Sequence, residues 1–208
     1  MSVTDALGCT TLIRCNPAGL PIEITDPTGA ATRYERDAFN RTTAITDPLG
    51  AVTRLIWTTE GYLTSRTTAN GATQSWAYDG EGNPLTHTDQ LGQVSTFEYT
   101  HFEALAARTG PDGARIEFTH DAHMQLVGVT NALGQCWSYS YDAAGRLTGE
   151  KDFDGRSVSY RLNAADQVVA RTNPLGQQIR YSYESVGRTT AKDAEGRVTA
   201  FTYAAVTT

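Results

Sequence analysis

The sequence predicts an all-β fold: about ten copies of a 21-residue β-hairpin forming a long curled antiparallel sheet. Two observations carry this prediction. A glycine recurs every 21 residues with one final step of 20, and two columns at fixed distances after it hold 14 of the 19 aromatic residues. A fixed period of this length is typical of arrays in which each unit packs on its neighbours. The glycines are Gly8, Gly29, Gly50, Gly71, Gly92, Gly113, Gly134, Gly155, Gly176 and Gly196.

The first half of each repeat is predicted to be a β-strand. Positions five and seven after the glycine share one face of an extended chain, whereas on a helix they would lie about 200° apart. We expect their aromatic residues to form a structural lattice. At position five these are Tyr34, Trp76, Phe97, Phe118, Tyr139, Tyr160, Tyr181 and Phe201, and at position seven Trp57, Tyr78, Tyr99, Tyr141, Tyr183 and Tyr203.

A polar break follows the first strand and predicts the hairpin turn. In the segment Tyr141-Asp142-Ala-Ala-Gly145-Arg146, Asp142 suits the opening of a type I turn and Gly145 can adopt the positive φ that closes a hairpin. The same pattern places Asp79, Gly82, Gly187 and Arg188 in hairpin turns of other repeats.

A second strand leads to a joining turn such as Thr46-Asp-Pro-Leu-Gly50, where proline fixes φ and removes a backbone donor. One column of the second strand is nearly always small. We expect this column to share a face with the aromatic residues and leave room for them. Its members are Ala44, Ser65, Thr86, Ala107, Gly128, Gly149, Ala170 and Ala191, with Glu23 the exception.

Composition limits the function. The chain has 208 residues, 39% of them apolar, and a net charge of −6, so it has enough apolar residues for an ordered body. The acidic balance argues against nucleic acid as a partner, and no apolar stretch reaches the roughly 20 residues of a membrane span. The N-terminus lacks the features of a signal peptide. Cys9, Cys15 and Cys136 are expected to be reduced thiols, and no cofactor is predicted.

The segment from Tyr141 to Thr148 resembles the hallmark of the YD repeat of bacterial Rhs proteins. The joining turns Thr25–Gly29, Thr46–Gly50 and Thr172–Gly176 resemble the linking motif of the same family. Relatives include polymorphic toxins, shell subunits of insecticidal toxin complexes, and teneurins. The resemblance implies a β-shell or barrel, the shell enclosing a C-terminal toxin domain, with export from the bacterial cytoplasm by contact-dependent or type VI secretion.

We therefore interpret residues 1–208 as a single continuous repeat array with an incomplete repeat at each end. The expected function is a structural, non-catalytic shell segment whose partners are the remaining shell sequence, the enclosed toxin and the secretion apparatus. Strand edges exposed by the incomplete repeats are expected to promote self-association.

Two alternatives remain open. Rows of aromatic side chains can stack on sugar rings, so the second hypothesis is a carbohydrate-binding or cell-surface-binding module. The third is a self-processing shell, because Asp26-Pro27 resembles the Asp-Pro sequence at which Rhs shells cut off their toxin. The same Asp-Pro pair recurs at Asp47-Pro48 as ordinary repeat punctuation, which favours a structural turn.

A metal site is the remaining chemical candidate. Imidazoles and carboxylates can bind zinc, and His101, Glu103, His120, Asp121 and His123 fall in two neighbouring repeats. His120 occupies an aromatic column and the others occupy polar turns, so we predict no metal and no catalytic residue.

Overall fold

The computed structural model describes residues 1–203, and these form twenty β-strands without a helix. The prediction of an all-β fold with two antiparallel strands per repeat is confirmed. In chain order the strands are β1 (Ser2–Thr4), β2 (Thr10–Cys15), β3 (Pro21–Thr25), β4 (Ala31–Arg36), β5 (Thr42–Thr46), β6 (Val52–Trp57), β7 (Leu63–Thr67), β8 (Thr73–Tyr78), β9 (Pro84–Thr88), β10 (Val94–Tyr99), β11 (Leu105–Thr109), β12 (Arg115–His120), β13 (Leu126–Thr130), β14 (Cys136–Tyr141), β15 (Leu147–Lys151), β16 (Ser157–Leu162), β17 (Val168–Thr172), β18 (Gln178–Tyr183), β19 (Thr189–Ala194) and β20 (Arg197–Ala200).

The chain forms two compact units. The first contains Met1–Glu98 and Thr109–Gly113, and the second contains Tyr99–Arg108 and the chain from Ala114 onward. Among the described residues of each unit, a strand contacts only the strands before and after it in the chain. The prediction of one continuous array stays a prediction, and the incomplete end of its last repeat, residues 204–208, lies outside the described residues.

Each unit is therefore a single layer of sheet, and this limits burial. Within residues 1–203 the buried hydrophobic side chains are the small ones of Ala44, Ala107 and Ala170, and no large side chain is fully buried. Twelve of the fourteen aromatic residues of the predicted lattice are half-buried, while Phe201 and Tyr203 are exposed. Residues of a single layer pack mainly against side chains of adjacent strands, because no second layer covers them.

The hairpin turns and the joining turns share one backbone geometry, except for the last joining turn, where Ala194 pairs with Arg197 and both Glu195 and Gly196 have positive φ. In the hairpin turn, the Asp142 amide donates to the Arg146 carbonyl at 3.0 Å and the Gly145 amide donates to the Asp142 carbonyl at 2.9 Å. In the joining turn, Asp47 and Gly50 make the equivalent bonds, both at 3.0 Å. The two glycines have φ values of 79° and 86°. This is the three-residue hairpin loop that ends in a left-handed residue.

A β-bulge follows the hairpin turn in eight repeats, and the hairpin of β14 and β15 is an example. Tyr141 pairs with Leu147, but the next pair is Ser140 with Gly149, so Thr148 is the extra residue. The bulge shifts the pairing of the rest of the hairpin by one residue. Because successive side chains of a strand alternate between faces, a one-residue shift exchanges the faces of the second strand.

The bulge corrects the expectation about the small column. Gly149 lies opposite Ser140 and Ser159, on the face away from Tyr139 and Tyr141, so the prediction that small and aromatic residues share a face is wrong. On this second face the column is flanked by polar and charged residues such as Arg161 and Arg180 beside Ala170. At the exception, Glu23, the carboxylate forms ion pairs with Arg14 and Arg33 on the same face.

Candidate functional site

The side chain at position seven of a repeat bonds back to the preceding repeat. The Tyr141 hydroxyl donates a hydrogen bond to the backbone carbonyl of Leu126 at 2.8 Å. Tyr78 and Tyr183 make the same bond at 2.8 and 2.7 Å. In each case the acceptor lies 15 residues earlier, at the first residue of the preceding repeat's second strand.

This bond lies where the backbone pairing between repeats stops. The pairing of β13 with β14 runs from Thr130–Cys136 to Gly128–Ser138, and the Leu126 carbonyl lies two residues beyond it. A partly buried carbonyl without a donor is destabilising, because it has lost hydrogen bonds to water. The tyrosine hydroxyl supplies that donor and extends the contact between the two repeats.

Other donors make the same connection. The Trp57 indole N–H donates to the Thr42 carbonyl at 2.7 Å, and the Arg36 guanidinium donates to the Pro21 carbonyl at 3.0 and 3.2 Å. Tyr203 bonds a carbonyl 14 residues earlier, at 2.9 Å, which matches the shorter last repeat. In these six repeats position seven holds a long side chain with a terminal donor, whether aromatic or not.

His120 lies in this column and does not make the bond. Its Nδ1 is buried without a hydrogen-bond partner among the described residues. An imidazole is shorter than a phenol, so it reaches less far toward the preceding repeat. Leu162, in the same column, has no donor at all. The repeats of His120 and Leu162 therefore lack the bond that Tyr141 makes in the repeat between them.

The hairpin turn links each repeat to the next one. The Asp142 carboxylate accepts from the backbone amides of Ala144 and Arg146 at 2.9 and 3.1 Å, and from Arg146 Nε at 2.8 Å. Arg146 Nη1 then donates to the Asn163 carbonyl at 3.0 Å and to Asp166 Oδ1 at 2.9 Å, both in the hairpin turn of the following repeat. One arginine thus stabilises its own turn and contacts the next.

These bonds determine the charge state of the turn. The hydrogen bond from Arg146, together with those from the backbone amides, lowers the pKa of Asp142 below its ordinary value. The same pairing, first with Asp142 and then with Asp166, raises the pKa of Arg146. A carboxylate that is held ionised in this way suits a structural turn rather than proton transfer.

Some other hairpin turns have an arginine or a glutamine at the position of Arg146. Arg41 donates to the carbonyl of Thr58, the equivalent of the Arg146 contact. Gln125 donates to the Gly145 carbonyl at 2.9 Å, again in the next repeat. In the last complete turn, Arg188 pairs with Glu184 of its own turn, and its guanidinium lies 4.7 Å from the centroid of the Tyr203 ring.

The turn glycine also makes room for the preceding repeat. Asp79 closes its turn through bonds to the backbone amides of Glu81 and Asn83, at 3.1 and 2.8 Å. The Tyr62 ring packs so closely on Gly82 that a Cβ atom there would lie 2.1 Å from the hydroxyl oxygen. At Gly187 a Cβ atom would lie 3.3 Å from the side-chain nitrogen of Gln167. These glycines provide positive φ and space together.

The position-five residues contact side chains of the adjoining strand. Trp76 stacks on His87 with the ring centroids 5.1 Å apart, and the Tyr160 hydroxyl donates to Glu150 at 2.6 Å. Burial, and then the nearby Glu150 carboxylate, raise the pKa of Tyr139. The aromatic face therefore mixes rings with ionisable groups rather than forming an apolar core.

The sequence motif is explained by these contacts residue by residue. Its tyrosine bonds the preceding repeat, its aspartate closes the turn, its glycine takes positive φ, and its arginine bonds the following repeat. Sequence analysis assigned the aspartate and the glycine but missed both bonds between repeats. The bond to the preceding repeat could have been predicted from the sequence. Trp57 and Arg36 lie in the same column as the tyrosines, and what these three residue types have in common is a long side chain with a terminal hydrogen-bond donor.

The Asp-Pro pairs considered for self-processing lie in ordinary joining turns. Asp26 accepts hydrogen bonds from the Thr28 hydroxyl, the Thr28 amide and the Ala30 amide, at 2.6, 2.8 and 3.0 Å. The Thr28 hydroxyl bond and then the Ala30 amide bond lower the pKa of Asp26, which opposes a role as a proton donor. The turn is equivalent to that of Asp47, whose carboxylate accepts from two backbone amides.

No group of three or more His, Cys, Asp or Glu residues in the described part of the chain could hold a metal ion. His101 contacts the ring of Phe102 edge-on, with the centroids 5.4 Å apart. His123 and Asp121 instead line an open cleft of about 480 Å³ between two successive hairpin turns, together with Tyr139 and Tyr141.

Residues 1–203 also include no helix with the length and apolar character that crossing a membrane requires.

Known structures share this fold. The chain is similar to the crystal structure of TcdB2-TccC3, with a TM-score of 0.73 and 16% identity over 90% of the chain. It is also similar to a Photorhabdus luminescens Tc holotoxin pore, with a TM-score of 0.55 and 15% identity over 91% of the chain. The chain spans 12% of the length of each of these proteins. No curated protein sequence matches it.

A family model described as RHS Repeat matches five segments: residues 16–52, 36–73, 78–115, 120–157 and 163–198. Together they cover most of the sequence and contain most of the turns and column residues described above. The chain belongs to the RHS repeat family.

Proposed function

We propose that this chain is a structural, non-catalytic segment of an Rhs-type shell wall, and that the complete wall encloses a toxin domain. The observation that carries the proposal is the set of side-chain bonds between successive repeats. Tyr141 bonds the repeat before it and Arg146 bonds the repeat after it. These two side chains connect each of the three successive repeats to its neighbour.

In this proposal the aromatic columns are the structural lattice of the wall. The position-seven residues supply donors between repeats, and the position-five residues cover one face of the single layer. The partners are the remaining shell sequence and the enclosed toxin, and the assembled protein is secreted or delivered to a target cell. Similarity in fold to the TcdB2-TccC3 complex supports this assignment.

The test is protection of a cargo. The intact product of the natural reading frame is expressed and exposed to protease, with and without Tyr78→Phe, Tyr141→Phe and Tyr183→Phe. A domain outside the repeats that resists digestion, and loses this resistance in the triple variant, supports an enclosing wall. Equal digestion of that domain in both proteins contradicts it.

One feature favours a second candidate, a carbohydrate-binding module. The cleft between two hairpin turns combines the rings of Tyr139 and Tyr141 with His123 and two carboxylates, Asp121 and Asp142. Aromatic rings stack on sugars and carboxylates bind their hydroxyl groups. A glycan array tests this candidate: binding should be lost in Tyr139→Ser and retained in Tyr181→Ser, which changes the same column outside the cleft.

A further inference from the structure

One joining turn holds its backbone amides in a different way from most of the others. In most joining turns the residue three places before the glycine is Asp or Asn, and one of its side-chain oxygens accepts two backbone amides. Asp47 accepts in this way from the amides of Leu49 and Ala51, at 2.9 and 2.8 Å. In the joining turn that ends at Gly71, the equivalent residue is Thr68. This turn therefore needs another acceptor.

Asn70 is that acceptor. Its Oδ1 accepts from the Ala72 amide at 3.1 Å, and the Thr68 hydroxyl lies 2.6 Å from the same oxygen. The hydroxyl has one hydrogen, and its other acceptor, the Ala72 carbonyl, is farther away at 3.0 Å. Two donors on one amide oxygen make the attached carbon, Cγ, more electrophilic. They also stabilise the negative charge that a nucleophile attacking Cγ places on the oxygen.

The backbone nitrogen of Gly71 can act as this nucleophile. The nitrogen of the residue after an asparagine can bond to Cγ and close a five-membered ring. Asn70 and Gly71 are both exposed, and the glycine has no Cβ atom to shield its nitrogen. The Gly71 amide donates to the Thr68 carbonyl at 2.9 Å, so this one bond of an exposed turn must open before the ring can close.

The other six asparagines lack this combination. Asn40 precedes an arginine, and Asn131 and Asn163 precede alanines, so a side chain shields the following nitrogen. The side-chain amide nitrogens of Asn131 and Asn163 also donate to Gln135 and Gln167, at 2.9 and 2.8 Å. The remaining three precede proline, whose nitrogen has no hydrogen to lose: Asn16, Asn83 and Asn173.

We propose that Asn70 is a site of spontaneous deamidation and that the Thr68 hydroxyl assists the reaction. The Gly71 nitrogen gives its hydrogen to a hydroxide ion and bonds to Cγ of Asn70. The Cγ–Nδ2 bond breaks, and this nitrogen takes a proton from water and leaves as ammonia, which regenerates hydroxide. A water molecule then opens the cyclic imide at either of its two carbonyl groups. The products are aspartate and iso-aspartate, and each adds one negative charge.

The two products affect the turn differently. Two other joining turns have an aspartate directly before the glycine, Asp112 and Asp154, so aspartate at position 70 suits the turn. Iso-aspartate adds a methylene group to the backbone, which lengthens the loop that the bond from Gly71 to Thr68 closes. The proposal concerns this one turn and does not depend on the shell function, so either can fail while the other stands.

The test follows deamidation of the whole chain in mildly alkaline buffer, by peptide mapping with mass spectrometry over time. Asn131 is the internal control, because its Oδ1 also accepts two backbone amides, at 2.9 and 3.0 Å, but an alanine follows it. Thr68→Val removes the hydroxyl and keeps the shape of the side chain, and circular dichroism verifies its fold. Both proteins are also incubated unfolded in urea, where the hydroxyl has no fixed position.

Asn70 of the folded wild type should deamidate at least about tenfold faster than Asn131, because the glycine nitrogen is unshielded. Thr68→Val should slow the reaction at Asn70 about two- to tenfold, which is the effect of one hydrogen bond on a rate. In urea the two proteins should agree within about twofold.

Equal rates at Asn70 and Asn131 in the folded wild type would overturn the proposal. So would a folded Thr68→Val protein that reacts at the wild-type rate or faster, since the looseness of the turn would then control the reaction rather than the hydroxyl. A variant that is slowed as much in urea as in the folded state would also contradict the role of Thr68.

Discussion

The hydrogen bond from Tyr141 to the preceding repeat can be tested by removing one oxygen atom. Tyr141→Phe keeps the ring on the sheet but deletes the hydroxyl that donates to the Leu126 carbonyl at 2.8 Å. Both groups are partly buried. A hydrogen bond makes a net contribution of about 0.5–1.5 kcal/mol to the free energy of unfolding. The variant leaves the Leu126 carbonyl without this donor, so the expected loss lies toward the upper end of that range. In a chain of this length, 1 kcal/mol lowers the melting temperature by about 2–4 °C.

Tyr139→Phe is the matched control. Tyr139 lies two residues away on the same strand and face, and its hydroxyl makes no hydrogen bond to the described part of the chain. We expect its loss to change the free energy of unfolding by less than about 0.5 kcal/mol. The measurement is the urea midpoint of unfolding for the two variants and the wild type. Equal midpoints for Tyr141→Phe and Tyr139→Phe would refute the argument.

The effect should also accumulate along the array. Tyr78, Tyr141 and Tyr183 are at least two repeats apart and share no hydrogen-bond acceptor, so their contributions should add. The triple phenylalanine variant should lose about 1.5–4.5 kcal/mol. A loss no larger than that of one substitution would mean that the repeats do not depend on these bonds.

The remaining predictions use the same assay. His120→Tyr introduces the missing donor and should stabilise the chain by about 0.5–1.5 kcal/mol; a lower midpoint would contradict this. Gly82→Ala should cost about 1 kcal/mol more than Gly19→Ala, because both glycines have positive φ but only Gly82 is covered by a ring; equal costs would exclude the packing argument. Because the hydrogen bond from Arg146 lowers the pKa of Asp142, its stabilisation is fully present above about pH 4 and is lost as pH falls through the lowered pKa. Asp142→Asn should therefore flatten the loss of stability on acidification, and an unchanged pH profile would count against this.

The face on which the small column lies could not be predicted from the sequence. The alternation of side chains is visible in the sequence, but the bulge at Thr148 is not. Without the bulge, Gly149 would pair with Tyr139 and share a face with the aromatic residues, as the sequence predicted. The extra residue moves Gly149 opposite Ser140, so the partner of every residue beyond the turn changes. A register shift is a property of two paired strands and cannot be inferred from either strand alone.

The sequence by itself determined the hairpin repeat, its strands and its turns, because these depend on local properties. A 21-residue period, side-chain alternation and a glycine at most of the left-handed turn positions indicate them within a single repeat, although Asn40, Glu103, Met124 and Asp166 take the left-handed position of their hairpin turns. Only the tertiary structure decided how one repeat holds the next. The Tyr141 and Arg146 bonds end on backbone carbonyls, which every residue possesses, so no residue type in the sequence marks Leu126 or Asn163 as the acceptor. Those acceptors are selected by where the pairing between repeats ends, and that is a property of the folded sheet.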